Sequence, residues 1–65
     1  MSADKLLLSI TEAAYALSVS RPTIYNLLKT DGFPVVRIGG RTMISADGLR
    51  RWVEIQVEKR QGENI

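Results

Sequence analysis

The chain has 65 residues, a net charge of +2, and neither cysteine nor histidine. A chain this short holds one core that only just offsets chain entropy, leaving little apolar material to wall a buried active site. The missing residue types exclude disulfides, thiolate nucleophiles, imidazole acid–base catalysis and the usual zinc ligands.

Charge is unevenly spread. Residues 21–51 carry Arg21, Lys29, Arg37, Arg41, Arg50 and Arg51 against Asp31 and Asp47, a net +4, while the stretches on either side are each net −1. A basic middle points to an anionic partner, and nucleic acid is the commonest one for so small a domain. No apolar run approaches the roughly 20 residues of a membrane span. The start, Met1 to Lys5 and then Leu6-Leu7-Leu8, lacks the longer apolar region of a signal peptide. A cytoplasmic location is expected.

In chain order, Leu6-Leu7-Leu8 reads as a brief extended segment packing on the core. Ser9 with Glu12 three residues later is a capping box, so a first helix is expected from Ile10 to Leu17, burying Ile10, Ala13, Ala14 and Leu17. Ser18-Val19-Ser20 is too short for anything but a sharp change of direction. Ser20 caps a second helix with Pro22 in its first turn, running to about Thr30 and burying Ile24, Leu27 and Leu28. The small Ala13 and Ala14 let the two helices cross closely. This is the pattern of a helix-turn-helix.

The second helix leaves Arg21, Pro22, Tyr25, Asn26 and Lys29 on its outer side. Arginine hydrogen-bonds a guanine edge or a phosphate, asparagine pairs with adenine, and tyrosine and lysine suit phosphate oxygens. Any soluble helix shows polar residues to water; the preceding helix, the short turn and the segment that follows favour a contact face here.

Asp31-Gly32 ends the helix, Gly32 in a left-handed conformation, Phe33 folds back on the core and Pro34 blocks further helix. Val35-Val36-Arg37-Ile38 and Arg41-Thr42-Met43-Ile44 are then β-prone runs around Gly39-Gly40, a pair suited to a two-residue hairpin turn. In this small wing Arg37 and Arg41 are placed to reach a minor groove or flanking phosphates, Arg41 beside the tip. Keeping an exposed edge soluble is the alternative use for both. Ser45 caps a third helix in which Leu49, Trp52, Val53 and Gln56 recur at core spacing, and Gly48 weakens its first turn. Residues 1–60 are expected to form one domain and 61–65 a frayed tail. Ile55, Val57 and Lys59 fall off the inward stripe: they either cover a small core or meet a neighbouring protomer or another protein, with the free protein a monomer.

The carboxylates fall in caps, turns and exposed faces, and Gly39-Gly40 is too short to cradle a phosphate, so neither catalysis nor a cofactor or metal is expected. A protein-interaction module is the rival reading; dense arginine on helix two and the wing speaks against it.

VSRPTIYNLL, the Phe33-Pro34 exit, VVRIGGRTMI and a final helix with Leu49 and Trp52 resemble the excisionase-type family of small winged helix-turn-helix DNA-binding proteins, close to phage regulators of the AlpA type. The resemblance covers roughly residues 6–55. Its most telling parts are Ser20, Arg21, Thr23 and Tyr25 and the hairpin 37–41. It implies a mostly α fold with a small β-hairpin, DNA contacts from Ser20, Arg21, Pro22, Thr23, Tyr25, Asn26 and Lys29 of helix two, and wing contacts from Arg37, Gly39, Gly40 and Arg41. It also implies a role in biasing a partner integrase towards excision of a mobile element, with transcriptional regulation as the alternative. Ser18 departs from the family by replacing a usual glycine, and Gly48 by replacing a common charged residue.

Overall fold

The computed structural model describes the backbone of residues 5–63. Its elements are β1 (Leu7–Leu8), α1 (Ile10–Leu17), α2 (Arg21–Leu27), β2 (Val35–Ile38), β3 (Arg41–Ser45) and α3 (Ala46–Glu63). Three helices and a small antiparallel sheet form a winged helix-turn-helix.

The start of α1 is fixed by the capping box. Ser9 Oγ accepts from the Glu12 N–H at 3.1 Å, and the Glu12 carboxylate accepts from the Ser9 N–H at 2.9 Å. Its end is a left-handed turn in which the Ser18 N–H donates to the Tyr15 carbonyl and the Val19 N–H to the Ala14 carbonyl. Ser18 takes φ 60° there and is the only non-glycine residue with positive φ among the described residues. Helix α2 opens with Ser20 Oγ accepting from the Thr23 N–H and with Pro22 in the first turn. Its α-helical part ends at Leu27, short of the Thr30 expected from the sequence. The chain tightens instead into a turn where Lys29 and Thr30 donate to the carbonyls of Asn26 and Leu27, three residues back. Gly32, at φ 89°, then reverses the chain.

The sheet also departs from expectation. A two-stranded wing was the reading of the sequence, yet Leu7 and Leu8 pair with Ser45 and Ile44, giving the order β1-β3-β2. Two leucines carry no alternation by which a strand partner can be recognised. In the hairpin Val35 faces Ile44 and Ile38 faces Arg41, so Gly39 and Gly40 alone make the turn, at φ 56° and 80°. Positive φ at both positions matches the turn twist to that of the strands.

Ala13 and Ala14 of α1, Ile24 of α2, Phe33, Ile44 of β3 and Leu49 of α3 make the core. Ile24 and Ile44 are fully buried, each contributing about 1.5–3 kcal/mol relative to exposure. Trp52 closes one side, its ring edge-on to Phe33 with centroids 5.1 Å apart. Gly48 packs α3 against the Phe33-Pro34 exit: a Cβ there would lie 2.7 Å from Pro34 Cβ. The Gly48 N–H donates to Ser45 Oγ, the cap of α3. Helical backbone continues to Glu63, into the 61–65 stretch expected to fray; residues 64 and 65 lie outside the described residues.

Candidate DNA interface

The outer side of α2 divides into two stripes. Arg21, Tyr25 and Leu28, spaced i, i+4, i+7, line an open groove of about 420 Å³ whose other wall is Arg41, Thr42 and Met43 of β3. Pro22 and Asn26, exposed and one position further round, form the second stripe, turned away from the wing. Lys29 is exposed but follows the helix cap at Leu28, so it extends the surface from the turn and not from the helix.

Ser20 and Thr23 have a structural use. Their hydroxyls lie 3.0 Å apart, and Ser20 Oγ also accepts from the Thr23 N–H. They close the N-terminal cap of α2, directly before Arg21.

Arg37 and Arg41 separate. Arg37 stands opposite Thr42 and Arg41 opposite Ile38, adjacent rungs of the ladder, so Arg37 shares a face of the wing with Thr42 and Arg41 leaves the opposite one. Only Arg41 joins Arg21 at the groove. Gly39 and Gly40 contribute the turn and no side chain.

Sequence reading missed six groove residues, the apolar Ile10, Leu28 and Met43 and the polar Ser9, Thr11 and Thr42. Thr11 is an exposed position of the first turn of α1, and nothing local marks it, because its place depends on the wing folding back beside the start of that helix. The resulting wall combines two guanidinium groups, a phenol and hydroxyls with no carboxylate. Such a surface attracts phosphate oxygens and offers a cation nothing.

Residues 7–56 match the family model described as the helix-turn-helix domain. The chain belongs to that family. No curated protein and no solved structure gives a match. The helix-turn-helix match spans every element that builds the groove and the first ten residues or so of α3. It supports sequence-specific DNA binding as the business of this domain. Among the described residues, no helix is long and apolar enough to cross a membrane, and no cluster of carboxylates could hold a metal ion.

Proposed function

We propose that this helix-turn-helix domain is an excisionase-type accessory protein: it binds and bends double-stranded DNA so that a partner integrase excises a mobile element. The observation that carries the DNA half is the groove where Arg21 and Tyr25 of α2 meet Arg41 of the wing without a carboxylate. In this reading α2 enters the major groove, with Arg21 and Asn26 at base edges and Tyr25 and Lys29 at phosphates. The wing lays Arg41 on the adjacent backbone or minor groove, and Arg37, on the other face, takes a second phosphate. Ile55, Val57 and Lys59, exposed on different sides of α3, are the residues available to a protein partner. The recombination half rests on the resemblance described above.

Binding measured on a selected site and on random DNA, across a salt series, tests the first half. Arg21→Ala is expected to cost about 1–3 kcal/mol on the specific site and to relax sequence preference, whereas Lys29→Ala weakens all sequences alike and lowers the salt slope by about one unit. Equal loss on both DNAs would reassign Arg21 to the backbone. An excision assay with any site-specific recombinase that a neighbouring gene encodes tests the second half; promoter repression without any effect on excision would favour the regulator.

A further inference from the structure

The edge of β3 opens into the groove between α2 and the wing. Ser45 donates its N–H to the Pro34 carbonyl on one side, and Ala46, next along, donates its N–H to the Leu6 carbonyl on the other. Backbone groups alternate in direction along a strand, so the odd-numbered residues of β3 turn towards β2 and the even-numbered ones towards β1. Ile44 accordingly pairs with Leu8, and Thr42 faces the next place in that ladder. Strand β1 stops short of it, because the chain leaves the sheet at Ser9 to begin α1. The Thr42 N–H is left pointing at the groove wall made by Ser9, Ile10 and Thr11.

The rest of the groove complements a nucleic-acid backbone. Ile10 and Leu28 lie at its base, where they also pack on the core, and Met43 is partly buried beside them. Arg21 and Arg41 are exposed at its rim, one on each wall. A DNA strand alternates an apolar sugar edge with an anionic phosphate, and the phosphate accepts from arginine, hydroxyl and backbone N–H alike. A duplex sets one such strand between each major groove and the minor groove beside it. A protein with a helix in the first and a wing in the second must straddle that strand with whatever lies between the two. In this chain the straddling surface is the groove.

We infer that the groove seats the single sugar–phosphate strand dividing the two DNA grooves, and that the Thr42 N–H and the Thr11 hydroxyl hold one of its phosphates between Arg21 and Arg41. The assignment rests on the DNA-binding reading and adds two ligands to it, one from the middle of the wing and one from α1. The Thr42 carbonyl turns the same way and, as an acceptor, is left to water, so the phosphate oxygen lies on the N–H side, towards Arg41. Two long guanidinium side chains attract a phosphate over a range of positions, whereas a backbone N–H and a short hydroxyl accept an oxygen at one. The held phosphate therefore sets how far α2 enters the major groove, and with it which base step Asn26 reaches. Thr11 and Thr42 themselves carry no sequence information.

The test uses a selected site synthesised with one methylphosphonate, which removes a single backbone charge, at each position in turn. Neutralising one phosphate of the dividing strand is expected to weaken binding of the parent at least about tenfold. Thr11→Val, and an ester in place of the amide that carries the Thr42 N–H, are each expected to weaken binding to native DNA about threefold to tenfold, with the salt slope unchanged because no charge is lost. On DNA already neutral at that phosphate neither change is expected to have a further effect, while both keep their full effect on DNA neutralised elsewhere. Thr11→Ser, which retains the hydroxyl, should behave as the parent, and Arg37→Ala, on the other face of the wing, should add in full to neutralisation of that phosphate. Equal losses on native and neutralised DNA, as a merely misfolded variant would give, or the lack of any single phosphate that couples to Thr11 and Thr42, would overturn the proposal. Failure of the parent to bind any duplex would sink the DNA reading along with it; specific binding without the coupling removes this seat alone.

Discussion

Ser18 sits in the left-handed region at φ 60°, where a side chain costs about 1–2 kcal/mol that glycine does not. Part of that gain is returned through the greater freedom of glycine in the unfolded chain. Ser18→Gly is therefore expected to stabilise the domain by about 0.5–1 kcal/mol, seen as a rise of several degrees in Tm; a lower Tm would mean that the serine hydroxyl contributes a contact of its own. The departure from the family pattern at this position was legible in the sequence, and the turn itself is retained. Glu12 offers a second test. The Lys5 ammonium, and next the Ser9 backbone N–H, hold its carboxyl below the ordinary value of 4.5. A lowered folded value means that the contribution is complete above about pH 4.5 and disappears as pH falls through the lower folded value. Melting curves from about pH 6 to about pH 3 should show a stability loss in the parent that Glu12→Gln, which keeps an amide oxygen for the cap, lacks in part. The capping box was readable because both of its partners lie within four residues; the Lys5 contact, seven residues from Glu12, was not.

At the level of elements, helix propensity and packing make opposite demands at Gly48. Alanine would gain up to about 1 kcal/mol as a helix former, but its Cβ would stand 2.7 Å from Pro34 Cβ, a clash of the kind that costs about 1–3 kcal/mol. Gly48→Ala is expected to lower Tm, and an unchanged or raised Tm would show that the Phe33-Pro34 exit shifts freely. From the sequence this glycine reads only as a weak point in the helix, because a close approach is visible only once the exit is folded against it. The wing gives the converse case. Replacing both Gly39 and Gly40, at φ 56° and 80°, with valine should open the hairpin and reduce DNA affinity while leaving the helical circular dichroism signal largely intact. Unchanged affinity would make the wing a cover for the core. All three helix starts and the hairpin turn were legible, since Ser, Pro and Gly act locally. The early end of α2 and the pairing of β1 were not, because tertiary contacts decide them.

For the whole molecule, the sequence located the basic surface but not its division. Arg21 and Arg41, 20 positions apart, share a groove, while Arg37, four positions from Arg41, faces the other way. Charge counting cannot separate them; the folded groove, which Arg41 lines and Arg37 does not, does so. The same sheet has a consequence in time. Contacts between α1 and α2, and between the two strands of the wing, join near neighbours in the chain and can form early. The pairing of Leu7 with Ser45 and Leu8 with Ile44 instead closes a loop spanning more than half the chain, the slowest kind of contact to make. During synthesis the first strand must wait, unpaired, until β3 has emerged, and β3 also lies beside the strand that presents Arg37. A nascent chain halted within the wing would hold both helices of the reading unit and still lack the closed sheet, so competence to bind DNA should appear late and in one step as the final third of the chain is delivered.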